Sequence, residues 1–201
     1  MRLHERREVD ELIILDIAAT PDGRGPRFEE VSQLCESLFM PVTIGGGVRN
    51  IADIRRLLAC GADKVSIKTA AQKSPAFIAE ASKKFGSQSI VVSIDYEPGE
   101  RNICERALDA ERLGAGEILL TSIDRDGMLE GFDIDLIREV SDAVDIPVIA
   151  AGGCGSYEHI AEVLSKTKAH AVAVGAAFQF RDLTPKGAAR YLHERGFQVR
   201  L

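Results

Sequence analysis

No stretch of this sequence is apolar for the roughly 20 residues that a membrane helix needs. Its four cysteines, Cys35, Cys60, Cys104 and Cys154, are scattered, with no CxxC or CxxxC spacing. That excludes a zinc knuckle and a disulfide scaffold alike. Cys35 and Cys60 fall in apolar helical stretches, where a thiol is expected to be buried as a small hydrophobe. Positive charge is also short: 25 Lys and Arg against 31 Asp and Glu leave a net charge of −6. A general nucleic-acid or acidic-membrane surface is therefore not expected. The N-terminus "MRLHERREVDE" is too charged for a signal peptide, so a cytoplasmic protein is expected, without metal, nucleic-acid or membrane partners. An anionic small molecule stays open, because backbone N–H groups bind phosphate whatever the global charge.

What is present is alternation. A length of 201 residues suits one domain. Short β-branched runs occur at Glu11–Ile17, Pro41–Gly47, Lys64–Thr69, Ser89–Asp95, Glu117–Asp124, Pro147–Gly153 and Ala171–Gly175. Between them, segments such as "NIADIRRLLACGA" and "DIDLIREVSDAV" are apolar at i, i+3, i+4 and i+7. Asn50 precedes one helix, and Ser74-Pro75 puts proline at the first position of another. The runs are almost continuously apolar, as in strands covered by helices on both sheet faces. Strict β-α alternation means a parallel α/β sheet, either doubly wound or closed as a barrel.

Internal repetition selects the barrel. "PVTIGGGV" matches "PVIAAGGCG", and "LILDIAAT"-like chemistry at Leu12–Thr20 returns as "LLTSIDRDG" at Leu119–Gly127. Gly152 follows Gly46 by 106 positions and Asp124 follows Asp16 by 108, so each half holds about four βα units. The counterpart of the run ending at Asp95 should then lie roughly a dozen residues before Met1. The expected fold is a single α/β domain over 1–201, of the (βα)8 TIM-barrel family with a two-fold internal repeat. Seven strands are recognisable and the first is missing. An N-terminally incomplete barrel should expose apolar strand edges.

Barrel chemistry lies at the C-terminal ends of strands. Read that way, the candidates are Asp16, Gly45-Gly46-Gly47, Lys68-Thr69, Asp95, Thr121, Asp124, Asp126-Gly127, Gly152-Gly153 and Gly175-Ala176. The glycine clusters, each preceding a helix, are either geometric turns or phosphate cradles. Two clusters related by a repeat suggest a substrate with a phosphate at each end. Asp95 is a general acid/base or a turn cap. Asp16, Asp124 and Asp126 carry the same two readings, although four aspartates converging on one rim exceed what capping requires. His4, His159, His170 and His193 fall outside the strand ends and read as surface or helix residues. Lys64 beside Asp63 reads by default as a solvated pair.

The segments "DELIILDI", "PVTIGGGVRN", "GADKVSI", "FGSQSIVVSID", "GAGEILLTSIDRDG", "GFDIDLI", "IPVIAAGGCGS" and "YLHERGFQVRL" closely resemble the cyclase subunit of imidazole glycerol phosphate synthase. The resemblance runs from Val9 to Leu201. It implies a lyase of histidine biosynthesis that needs no cofactor. Such a protein takes ammonia from a glutaminase partner and cleaves and cyclises a bis-phosphorylated nucleotide. It makes Asp95 a catalytic aspartate and Thr121, Asp126 and Gly127 substrate-lining. Gly46, Gly47, Gly152 and Gly153 match the two phosphate cradles, with Lys68, Thr69, Gly175 and Ala176 beside them. Glu11, Lys64 and Glu117 match charges ringing the ammonia entrance on the partner face, which replaces the solvated-pair reading of Lys64.

The sequence also departs from that pattern. The family's other catalytic aspartate belongs to the absent first strand. Lys68 replaces an asparagine, Ala176 a serine and Gln179 a histidine, and "YEPGERN" shortens the segment after Asp95. Two alternatives follow: a paralogue delivering ammonia in surface-polysaccharide sugar synthesis, to which "ESLFMP" and the altered phosphate-site residues lean, or a truncated, impaired barrel.

Overall fold

The computed structural model describes residues 9–200; His4 lies outside them. Seven strands form one sheet in the order β1 to β7: Leu12–Leu15, Val42–Gly45, Lys64–Ile67, Ile90–Tyr96, Glu117–Ser122, Val148–Ala151 and Ala171–Ala173. The helices are α1 (Phe28–Cys35), α2 (Ile51–Ala59), α3 (Thr69–Lys73), α4 (Ala76–Phe85), α5 (Ile103–Arg112), α6 (Ile134–Ala143), α7 (Tyr157–Lys166), α8 (Ala176–Phe180) and α9 (Pro185–His193). A doubly wound sheet reverses its strand order at a switch point. This order never reverses, and helices separate successive strands, which is the winding of the (βα)8-barrel family.

The strands are shorter than the apolar runs suggested. β1 stops at Leu15, β2 at Gly45, β3 at Ile67, β5 at Ser122, β6 at Ala151 and β7 at Ala173, while β4 runs one residue past Asp95 to Tyr96. The trimmed positions are mostly those proposed for chemistry. They turn off the ladder because glycine, aspartate and the next helix start take over there.

The chain divides into two compact units. The first runs to Ser93 and includes Asp109–Ile118; the second is Ile94–Leu108 with Leu119 onward. In the first, Leu12 pairs with Val42, Ile44 with Val65 and Val65 with Ile90, all parallel. Ile54 and Leu57 of α2 and Ala81 of α4 are fully buried. Ile54 and Leu57 each contribute about 1.5–3 kcal/mol of burial. β1 ends the strand order and every residue in it is at least partly exposed, Leu15 by 41%. In the second unit Ile149 pairs with Ala171 and Ala151 with Ala173, and β7, at the other end of the order, has its Ala171 exposed. Ile137, Val140, Ile160 and Val163 supply the buried faces of α6 and α7.

The helix starts follow the sequence signals. The Asn50 side chain accepts the Asp53 N–H at 3.0 Å, and Asp133, Ser156 and Thr184 cap α6, α7 and α9 in the same manner. Pro75 has helical dihedrals, φ −54° and ψ −33°, immediately before α4. The cysteines differ from expectation: Cys35 and Cys60 are only half-buried, and Cys154 is the buried one. Cys35 closes α1 and Cys60 follows α2, and helix C-termini lie nearer the surface than helix middles. Among the described residues no helix is long and apolar enough to cross a membrane, and no cluster of three or more His, Cys, Asp or Glu could hold a metal ion.

Candidate functional site

In the first unit, the segment after β1 folds back onto the turn after β2. Asp16 donates its N–H to the Gly45 carbonyl at 2.9 Å. Its carboxylate receives Arg24 in a bidentate pair, Nη1 to Oδ2 at 2.5 Å and Nη2 to Oδ1 at 2.8 Å. The Ala18 N–H adds a third bond at 3.2 Å, and Arg27 Nε stands 3.7 Å away. The hydrogen bonds from Arg24 hold the Asp16 carboxyl below the usual range, against a smaller opposing effect of burial. Asp16 is therefore a held anion and not a proton donor near neutrality.

Gly46 and Gly47 take φ of +101° and +70°. A Cβ on Gly46 would lie 2.3 Å from the Asp16 carbonyl oxygen, and one on Gly47 would lie 2.9 Å from that of Arg24. Close backbone approach alone thus demands glycine at both positions. Lys68 is exposed and precedes α3, and Thr69 is the first residue of that helix, not the last of the strand.

The second unit repeats the arrangement. Gly152 and Gly153 take φ of +87° and +104°. Their Cβ positions would fall 2.4 Å from the Ser122 carbonyl oxygen and 2.1 Å from that of Gly131. The Gly131 N–H donates to the Gly153 carbonyl at 2.8 Å, clasping the β5–α6 segment to the turn after β6. Even the caps match across 106 positions. The Arg49 N–H donates to Asp53 Oδ2 at 2.9 Å, and the Gly155 N–H donates to His159 Nδ1 at 3.1 Å. His159, read from sequence as a bystander on a helix, therefore holds this turn, while His170 and His193 are exposed. Among the described residues, the N–H groups of Gly46, Gly47, Gly152 and Gly153 donate to no backbone acceptor. Polar groups this sheltered normally have a partner.

Asp95 sits half-buried as the penultimate residue of β4, and Thr121 half-buried on β5. Asp124, Asp126 and Gly127 lie exposed beyond β5. Asp124 Oδ1 accepts the Ser122 hydroxyl at 2.6 Å, and Gly127 has a φ of +79° with open space where its Cβ would be. Gly175 has a negative φ and open space as well, and Ala176 begins α8. Nothing in the backbone obliges a glycine at 175.

At the opposite strand ends of the first unit, Lys64 Nζ contacts Glu11 Oε2 at 2.9 Å and Glu117 Oε1 at 2.6 Å. Burial alone would lower the Lys64 pKa, but the two carboxylates outweigh it and hold it above its ordinary value. Among the described residues, Glu117 Oε2 is buried without a hydrogen-bond partner. Asp63 accepts the Val42 N–H at 2.8 Å, so the sequence neighbours Asp63 and Lys64 each serve a different structural partner and do not form a solvated pair. Sequence reasoning also missed Arg24, eight residues past its carboxylate.

Sequentially wound β/α units, with repeat-related glycine turns and carboxylates at the strand ends, define a protein of the parallel β/α-barrel class. Within that class the chain belongs to the histidine biosynthesis protein family, whose model matches residues 1–184. It is 43% identical to the imidazole glycerol phosphate synthase subunit HisF of Clostridium botulinum (strain Okra / Type B1), over 215 residues, 98% of this chain and 85% of the relative. The same subunit from strain Langeland / NCTC 10281 / Type F is 42% identical with the same coverage. The matched stretch of 215 is longer than this chain's 201 residues, so the relatives carry positions without a counterpart here. The link from β4 to α5 runs from Tyr96 to Ile103.

Proposed function

We propose that this chain is an ammonia-using cyclase subunit of histidine biosynthesis, working in the cytoplasm with a glutaminase partner. Its substrate is a bis-phosphorylated nucleotide, split and closed into imidazole glycerol phosphate and an aminoimidazole carboxamide ribonucleotide. One observation carries the reading: two repeat-related turns, each with positive-φ glycines and N–H groups that bond no backbone acceptor among the described residues. Each leads into a capped helix, Asn50 for α2 and Ser156 for α7. Such a turn offers N–H donors and a positive dipole end to one phosphate, and two turns suit a substrate phosphorylated at both ends.

In this reading Asp95 moves the protons that imidazole ring closure releases and consumes. Thr121, Asp126 and Gly127 contact the substrate between its phosphates. Lys68 and Thr69 support the first phosphate, and Gly175 and Ala176 the second. Lys68 acts as a point charge where a neutral amide would give directional bonds. Ammonia enters past Glu11, Lys64 and Glu117. Lys68 and Ala176 also favour a second reading, a paralogue that passes ammonia to sugar synthesis, since both alter the phosphate surroundings.

Steady-state assay with ammonium salts and the bis-phosphorylated nucleotide decides between them. Turnover that Asp95→Asn abolishes, with an unchanged circular dichroism spectrum, supports the cyclase. Undiminished turnover in that variant removes Asp95 from the chemistry, and no turnover by the unmodified chain removes the cyclase reading.

A further inference from the structure

Acceptors of different chemistry close the two repeat-related turns. After β6 the Gly155 N–H donates to His159 Nδ1 at 3.1 Å. Among the described residues that N–H has no backbone acceptor. Gly152 to Gly155 are all buried, and His159 is half-buried. The Leu129 carbonyl oxygen lies 2.0 Å from where a Cβ on Gly155 would stand, so backbone roofs this residue on the other side. After β2 the equivalent bond, from the Arg49 N–H to Asp53 Oδ2 at 2.9 Å, joins an exposed residue to a half-buried one.

A neutral imidazole carries one proton, and the nitrogen that accepts a hydrogen bond is the one without it. His159 therefore keeps its proton on Nε2, which lies 3.7 Å from where a Cβ on Gly131 would be. A second proton can go only to Nδ1. It would take the lone pair that Gly155 uses and set two N–H groups against each other. A carboxylate stays an acceptor throughout the range, about pH 5–8, in which histidines change charge.

The charges around the ring leave that conflict in place. On α7, Glu158 and Glu162 flank it, and Glu162 pairs with Lys166 at 2.6 Å while also interacting with the ring. α9 and the turn after it direct Tyr191 and Arg195 to Glu158. The β5–α6 segment contributes Arg125, with Nη1 on the Gly131 carbonyl at 3.3 Å, and the exposed Asp126 and Glu130. α6 places Arg138 at the far end of α7, on the Lys166 carbonyl at 2.8 Å. A positive ring would sit in the first turn of α7, the helix end that repels cations. We propose that His159 is an acid-sensitive latch: a second proton on its ring frees the Gly155 N–H and loosens the turn presenting the Gly152 and Gly153 N–H groups, while the turn after β2 stays closed. The bond from the Gly131 N–H to the Gly153 carbonyl and the Ser156 cap remain, so the turn loosens locally and does not unfold. That those N–H groups serve a phosphate rests on the cyclase reading; the latch does not.

The test follows backbone amides of the full chain by NMR across a pH titration, in the unmodified protein, His159→Asp and Asp53→His. From about pH 7.5 to about pH 5.5 the protection of the Gly155 amide against exchange should fall about tenfold, the scale of one lost hydrogen bond. Arg49 should hold its protection. His159→Asp should abolish the fall at Gly155, and Asp53→His should create one at Arg49. Sulfate, which does not titrate in this range, is the anion probe. Half-saturation of its shifts at Gly152 and Gly153 should need about tenfold more sulfate at the lower pH, and that of its shifts at Gly46 and Gly47 should not. Constant protection at Gly155 overturns the latch, as does an equal fall at Arg49 or a fall that persists in His159→Asp. Opening at Gly155 with unweakened sulfate binding overturns the link to the anion site. Sulfate shifts at neither turn at any pH would remove the phosphate reading of the turns, and the Gly155 titration would still decide the latch.

Discussion

Alanine at Gly153 and at Gly127 should separate two costs that glycine avoids. Both positions have positive φ, +104° and +79°, and an L side chain there costs about 1–2 kcal/mol from the backbone alone. Only Gly153 adds a collision, because its Cβ would stand 2.1 Å from the Gly131 carbonyl oxygen, whereas at Gly127 nothing lies within 4 Å. The colliding atom is backbone and cannot rotate aside. Relief must move the β5–α6 segment and strain the 2.8 Å bond from the Gly131 N–H to Gly153. Forcing such a shift costs about 1–3 kcal/mol. Gly153→Ala should therefore lose about 2–5 kcal/mol in total, and Gly127→Ala about 1–2. At roughly 2–4 °C per kcal/mol for a chain of this size, the variants should melt several degrees apart in a calorimetric scan. Equal melting temperatures would refute the close-approach argument at Gly153 and leave the paired glycines explained by ligand contact alone.

Removing Lys64 should expose how dry its surroundings are. Lys64→Met should destabilise by about 2 kcal/mol in urea titration, between the cost of breaking a surface pair and that of breaking a buried one. The double variant with Glu117→Gln should recover most of the loss, and a neutral single variant would mean that solvent already screens the ring. Arg24→Ala should reveal the held carboxylate of Asp16 through pH. The folded pKa of Asp16 is depressed, so its contribution is present above the unfolded value of about 3.9 and lost as pH falls through the folded value. The stability gap between the unmodified chain and Arg24→Ala should hold from pH 6 to 8 and close below about pH 4. A gap that persists in strong acid would assign the loss to packing of the Arg24 stem.

The barrel-family winding was legible because it depends on alternation, which apolar periodicity records directly, and the paired glycines were legible because only glycine meets their backbone demand. The half-exposed thiols were not legible, because periodicity does not tell how far a helix end lies from the surface, and the ion pairs of Lys64 were reached only through the family resemblance, because they join residues far apart in sequence. Glu11 and Glu117 both stand 53 positions from Lys64. The helix caps show why even a recognised repeat hides part of its content. Asp53 and His159 make the same bond to the N–H four residues earlier, one with a carboxylate oxygen and the other with a ring nitrogen. Any acceptor of suitable reach satisfies a helix N-terminus, so the geometry constrains hydrogen-bonding character and leaves residue type and charge free. A comparison of letters sees two unrelated residues there. The turns they hold are built alike, and the equivalence becomes visible only when each N–H is followed to its acceptor.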